Sequence, residues 1–158
     1  MTEMSDWPDQ RGSAVLSATD CRRLLEQGSG KVGRLGFLIE GNPVVLPFNY
    51  MLLDEDVLLC LGPGSTLDAL LSEPMVAFEI DHTDHLDADD PEGWSVLVQG
   101  NAQVIRDHVT MQRAAASGLT PLVGQSGQVH VLVRSEFVSG RRFQVAALAR
   151  FGWHAGTS

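Results

Sequence analysis

The sequence predicts a mainly β fold: a closed or nearly closed antiparallel barrel of six short strands, with small helices at the connections. Three observations lead there. Apolar and polar residues alternate over short runs, the period of a half-buried strand. Turn sequences such as Glu40-Gly41-Asn42-Pro43 and Leu53-Asp54-Glu55-Asp56 join successive runs directly. Helical periodicity is confined to brief segments between them.

The chain opens on MTEMSDWPDQRGS, polar and acidic, expected to be a loose tail through residue 14. Ser17-Ala18-Thr19-Asp20 is a capping-box pattern, with Ser17 capping and Asp20 reaching back. Cys21, Leu24 and Leu25 give the helix an apolar stripe, and Gly28-Ser29-Gly30 stops it. Residues 31–40 then read as a strand and 43–53 as its return, where Pro47 marks an edge or a bulge. Residues 57–61 make the third strand of a meander.

The stretch Gly62-Pro63-Gly64-Ser65-Thr66-Leu67 interrupts the sheet. Beyond it Leu67, Leu70 and Leu71 share one helical face, and Pro74 ends the helix. Ser65 and Asp68 have the spacing of a second capping box, expected to satisfy the helix's free N–H groups. Residues 75–80 form a fourth strand, followed by an acidic loop, and 94–105 a fifth with Gly100 as a bulge. A helix over 108–117, a sixth strand over 128–138 and a short final one over 142–147 complete the domain. One domain over 15–148 is expected, with a tail at 149–158.

The composition limits what the protein can be. At 158 residues the chain supports one core, and 44% hydrophobic residues is ordinary for a globular protein. No apolar stretch approaches the ~18–20 residues of a membrane span, and the N-terminus lacks a signal-peptide pattern. Two cysteines, Cys21 and Cys60, make no disulfide framework and fit reduced, buried thiols in the cytoplasm. Eleven basic against twenty acidic residues, a net charge of −9, argue against nucleic acid or anionic membrane as partner. Lys31 is the only lysine, and no cation lies between Arg34 and Arg106. An anion bound by that part of the chain must therefore find its cations at the ends of the gap, later in the chain, or on another subunit.

No Gly-x-Ser-x-Gly, His-Glu-x-x-His or Cys-x-x-Cys motif is present. Asp81-His82-Thr83-Asp84-His85 holds metal-binding residue types, but its loop character favours a solvated acidic segment and no metal site. His130, alternating with apolar residues, reads as a packed or rim histidine. Two aromatic-polar clusters stand out, Pro47-Phe48-Asn49-Tyr50 and Gly93-Trp94-Ser95; taken singly, Phe48, Tyr50 and Trp94 read first as core aromatics and neither cluster is specific.

The order of the pieces says more. Gly33-Arg34-Leu35-Gly36-Phe37 is followed by Pro43-Val44-Val45-Leu46-Pro47-Phe48-Asn49-Tyr50 and by Gly62-Pro63-Gly64-Ser65-Thr66-Leu67. Then come Val76-Ala77-Phe78-Glu79-Ile80-Asp81, Gly93-Trp94-Ser95-Val96 and Gly140-Arg141-Arg142-Phe143. Over about residues 15–146 this resembles the pyridoxamine 5′-phosphate oxidase-like flavin-binding split-barrel proteins, in particular an actinobacterial, nitroimidazole-reductase-like branch. The resemblance implies a six-stranded antiparallel split β-barrel that forms a homodimer with two FMN sites at the subunit interface. Carried over, Arg34, Leu35 and Gly36 would lie on the strand lining the flavin. Pro47, Phe48, Asn49 and Tyr50 would run beside the isoalloxazine and ribityl chain. Ser65, Thr66 and Leu67 would receive the phosphate, while Trp94 and Ser95 would close the pocket. Redox chemistry then resides on the cofactor, so a missing side-chain triad is no objection.

One departure matters. Relatives commonly carry lysine where this chain has Thr66, and Asp68 follows. Losing a charge-assisted hydrogen bond costs ~1.5–3 kcal/mol, and a first-turn carboxylate repels a dianion by ~1 kcal/mol. About 3 kcal/mol is a hundredfold in affinity. Arg34, Arg141 or Arg142 would have to compensate.

The expected function is an FMN-dependent oxidoreductase of flavin-reductase or nitroreductase type, using a nicotinamide donor, NADH or NADPH, and a small-molecule acceptor. Its rival is a degenerate split-barrel dimer without FMN, binding heme or another planar molecule, with His130 or His154 as iron ligand. A deazaflavin, more anionic than FMN, is disfavoured by the shortage of cations. Pyridoxamine phosphate oxidation would need a second phosphate site and is disfavoured for the same reason.

Overall fold

From Val32 onward the second strand alternates: Gly33, Leu35 and Phe37 are buried while Val32 and Arg34 are exposed, as a strand with one face in a core requires. That pattern recurs around the molecule. A computed structural model describes residues 13–28, 30–84, 91–122 and 128–144. In chain order these form β1 (Ser13–Val15), α1 (Ala18–Gly28), β2 (Val32–Ile39), β3 (Asn42–Leu53), β4 (Asp56–Leu61) and α2 (Ser65–Ser72). There follow β5 (Met75–Thr83), β6 (Glu92–Val104), α3 (His108–Ala116), β7 (Val129–Val133) and β8 (Phe137–Gln144).

All pairings are antiparallel, in the order β1-β8-β6-β5-β2-β3-β4-β7, and β7 also pairs with β6. That last pairing closes a six-stranded barrel, β6-β5-β2-β3-β4-β7, with β8 and β1 as two extra strands on the outer edge of β6. The long β6 makes this possible. One edge of it pairs with β8 over Glu92–Gln99, then with β7 over Ala102–Val104. Gly100 sits at the handover. A Cβ there would lie 1.8 Å from the carbonyl oxygen of Arg134, where the chain crosses from β7 to β8. Gly100 is thus required by close backbone approach, while its other edge pairs regularly with Val76; it is not a bulge.

The expected sixth strand over 128–138 is two strands. Its break at Arg134–Glu136 is held from a distance: Ser135 N–H donates to Asp56 Oδ1 at 2.9 Å, and its hydroxyl to the Glu55 carbonyl at 2.6 Å. The expected final strand at 142–147 is the end of β8, its residues beyond 144 lying outside the described ones. At the other terminus Ser13 and Ala14 are part of β1, paired with Phe143 and Arg142. The remainder of the expected tails lies outside the described residues.

Pro47 is on an edge, as expected. β3 pairs with β2 from Asn42 to Asn49 but with β4 only from Tyr50 to Leu53. Among the described residues its second edge from Asn42 to Asn49 has no strand partner.

The barrel interior is filled by Leu35, Tyr50, Phe78, Val96, Val98 and Val133, none more than marginally accessible. α1 closes one end with Cys21, Leu24 and Leu25. Its start follows the expected cap, Asp20 N–H donating to Ser17 Oγ at 3.1 Å. A second, smaller cluster on the outer side of β4 packs Leu58 and Cys60 beneath Ala114 of α3.

Candidate functional site

The Gly62-Pro63-Gly64 break delivers the chain into α2 without a side-chain cap. Gly64 is the N-cap, at φ 154° and ψ −169°, and no side chain bonds to the helix start. That conformation is essentially restricted to glycine. The first helical bond runs from Asp68 N–H to the Gly64 carbonyl at 3.0 Å. The expected capping box is therefore not formed, since Ser65 and Asp68 lie inside the helix. The amides of Ser65, Thr66 and Leu67 precede that bond and meet no acceptor among the described residues. Nothing lies within 4 Å of where a Gly64 Cβ would be. Ser65 is exposed, Thr66 is half-buried, and Leu67 packs on the core.

β2 and β3 divide the other expected residues by face. Arg34 and Gly36 point outward; Leu35 points inward and is fully buried. Arg34 Nη1 donates to Glu79 Oε2 at 3.2 Å and also to Asp81, so its charge is engaged by two carboxylates and not by Ser65 or Thr66. On β3, Pro47 lies opposite Arg34 and Asn49 opposite Val32. Asn49's side chain has no hydrogen bond to another described residue. Phe48 packs against the core. Tyr50 is wholly buried, edge-on to Phe78 with centroids 5.0 Å apart, and its hydroxyl donates to the Leu25 carbonyl at 2.9 Å. Burial pushes its pKa up to about 12. Tyr50 is thus a neutral core phenol tying β3 to α1, and its side chain is not free to orient a ring on the outer face.

Trp94 and Ser95 begin β6 at the opposite end of β5 from α2. Trp94 pairs with His82 and stacks on it, centroids 6.0 Å apart at 30°. Ser95 is half-buried between Asp81 and Arg141 in register. Met75, next to α2, and His82 are seven residues apart on β5, ~23 Å of strand.

Beside Trp94 is a cavity of ≈ 310 Å³, at the small end of the ~300–1,000 Å³ range of ligand pockets. Its origin is topological. β2 and β5 pair only over Arg34–Gly36, after which β2 stays with β3 and β5 stays with β6. The gap between the two hairpins is lined by Lys31, Val32 and Tyr50 on one wall. Ile80, Asp81, His82 and Trp94 form the other, and Leu24, Gln27 and Gly28 of α1 roof it. The Arg34–Asp81 bridge ties the walls together at the inner end.

Sequence reasoning missed this cavity, though Lys31 as the lone lysine was a visible signal. Of the Asp81–His85 segment, expected as a loop, Asp81, His82 and Thr83 belong to β5. His82 Nε2 lies 3.3 Å from Asp84 Oδ1, His85 lies outside the described residues, and no three metal-ligating side chains converge among the described ones. His130, opposite Cys60 on β4, has a buried Nε2 without a hydrogen-bond partner, and burial lowers its pKa. His154 lies outside the described residues.

Most described cations are paired with carboxylates, including Arg22, Arg23, Arg113, Arg134 and Arg142. Lys31, Arg106 and Arg141 are the described exceptions, Arg141 donating to the Ser13 hydroxyl. Arg106 follows the Ile105 N–H to His130 carbonyl bond of 3.1 Å, and β7 separates it from Leu61. It thus stands about two strand spacings, ~10 Å, from where the chain leaves for α2. No helix among the described residues is long and apolar enough to cross a membrane.

No curated protein matches this chain. Solved structures do. The FAD binding protein of Mycobacterium smegmatis is 31% identical, with a TM-score of 0.65 over 82% of this chain and 99% of that one. An FAD-binding protein of Mesorhizobium loti, 23% identical, has a TM-score of 0.65 over 82% and 97%. An FAD and heme binding protein of M. smegmatis, 15% identical, superposes with a TM-score of 0.60 over 90% and 81%; these last two share the fold. The closed six-stranded barrel therefore has solved counterparts across nearly its whole length. The sequence pattern of the pyridoxamine 5′-phosphate oxidase family spans residues 17–142, from the cap of α1 to β8, and the chain belongs to that family.

Proposed function

We propose that this protein binds a flavin, FMN in the first instance, and acts as an oxidoreductase on a small molecule. The observation that carries the reading is the α2 start: three amides without a described acceptor behind a glycine N-cap, in a member of this family. Such a helix start attracts phosphate through its N–H groups and dipole. The donor set suits a phosphate, since it is all N–H plus the Thr66 hydroxyl. Arg106 has no ion pair with another described residue. The unpaired edge of β3 from Asn42 to Asn49 offers backbone groups and the Asn49 amide to a ring's polar rim. Bound flavin would supply hydride and electron transfer between a nicotinamide donor and the acceptor.

A homodimer is part of the reading. Its support is an outer face carrying Val45 at 63% exposure and Val32 at 50%, which a second copy would cover.

The test is direct. Purified protein titrated into FMN quenches its fluorescence with a micromolar or tighter constant. Absence of quenching at tens of micromolar removes the proposal.

A second reading, a flavin-free split barrel binding heme or another planar molecule, draws on Arg34. Its charge is held by Glu79 and Asp81, and Thr66 brings no cation. The absorption spectrum of the protein as purified separates the two: flavin bands, a Soret band, or neither.

A further inference from the structure

The cavity between β2 and β5 is not needed for the phosphate grip and has a chemistry of its own. Its shape is a slot, because two hairpins diverge there while each remains internally paired. One wall presents the indole of Trp94, its orientation fixed by stacking on His82. Leu24 and Ile80 line the slot's inner part with aliphatic side chains. An aromatic face opposite aliphatic side chains suits a flat ring.

The charge around the slot is asymmetric. Asp81 is held by Arg34, and Asp84 is held by His82 and by the Glu92 N–H at 3.1 Å. Every described acid at the slot thus has a partner. Lys31 does not: its ammonium makes no ion pair or hydrogen bond with another described residue. Gln27 in the roof is likewise without a described side-chain partner. Lys31 is the one described cation lining the slot, and no described carboxylate engages it.

We propose that this slot is a binding site for a small planar aromatic acid. The ring stacks on Trp94, and its carboxylate or similar anionic group is received by Lys31, with Gln27 as an additional donor. The slot shares Trp94 with the flavin reading above, but neither the stacking wall nor the ammonium depends on a flavin being present.

The probe is 4-nitrobenzoate, titrated calorimetrically into the full chain without FMN. The neutral 4-nitrobenzamide and the cationic 4-nitrobenzylamine serve as matched rings. The acid binds about tenfold or more tightly than the amide, the worth of one charge-assisted contact. Lys31→Met erases that preference while leaving the amide unchanged. Trp94→Leu weakens acid and amide alike. Amide shifts in a nuclear magnetic resonance titration fall at Lys31, His82 and Trp94. Equal binding of the three rings, an intact preference in Lys31→Met, shifts confined elsewhere, or no binding at millimolar concentration overturns the proposal. Repeating the titration with FMN present keeps the two readings distinguishable: acid binding without any FMN binding sinks only the flavin reading.

Discussion

Arg34 on β2 and Glu79 on β5 face each other in register and are joined by a 3.2 Å hydrogen bond, at the last point where the two strands touch. The same guanidinium reaches Asp81, so one cation holds two carboxylates at the inner end of the slot. Burial first, and then Asp81, raise the Glu79 pKa, while Arg34 lowers it. Removing the guanidinium leaves two like charges together.

Arg34→Ala is accordingly expected to destabilise the protein at neutral pH, by less than about 1 kcal/mol given solvent screening of these exposed groups. The sign with pH follows. A carboxyl whose folded pKa is raised contributes stability below its unfolded pKa and loses it as pH rises through the folded one. The deficit of Arg34→Ala therefore shrinks as the medium is acidified and Glu79 takes up a proton. Urea unfolding at neutral and mildly acidic pH measures it, and a pH-independent deficit would contradict it.

Tyr50 gives an alkaline counterpart. Its phenol titrates at about 12 when folded against 10.0 in the ordinary state. Between those values the unfolded chain loses the proton first, so stability falls as pH rises through that window. Two pKa units correspond to about 2–3 kcal/mol. Tyr50→Phe is expected to flatten the decline between pH ~10 and ~12, while losing some stability at neutral pH with the Leu25 hydrogen bond. Circular dichroism against pH distinguishes the two curves.

Gly100→Ala places a methyl 1.8 Å from a backbone oxygen that cannot rotate away. The β7–β8 crossing must shift, and a cost of several kcal/mol is expected. Gly36→Ala meets nothing nearer than 3.6 Å and is the control; it is expected to be nearly neutral. Equal stability of the two would mean the crossing is not where it is placed here.

The barrel was legible because β2, β5 and most of β6 alternate, β4 is a short apolar run, and turn residues join the meander, information carried within a few positions. The break at Arg134–Glu136 has neither glycine nor proline. It is set by Asp56 and Glu55, 79 and 80 residues away, so no local pattern announces it. Glycines in the recognised motifs turned out to be packing requirements: a Cβ on Gly33 would meet the Phe78 ring at 2.1 Å, and one on Gly93 the Phe143 ring at 2.4 Å. Position and turn chemistry of the α2 start were legible too, but its capping was misread. Ser65 and Asp68 fit a capping box by spacing, whereas Gly64 takes the cap through a backbone angle that sequence spacing does not encode. The slot escaped notice because it arises where two hairpins part, a relation between strands distant in sequence.

In the proposed function the free amides of α2 grip a flavin phosphate at a site where this chain has Thr66, an uncharged residue. Thr66→Lys tests it most directly, with FMN and riboflavin titrated against both forms. The account predicts that FMN binds the wild type, and that Thr66→Lys tightens it by about ten- to a hundredfold while riboflavin, lacking the phosphate, is unaffected. An unchanged FMN constant, or an equal gain for both flavins, would contradict it.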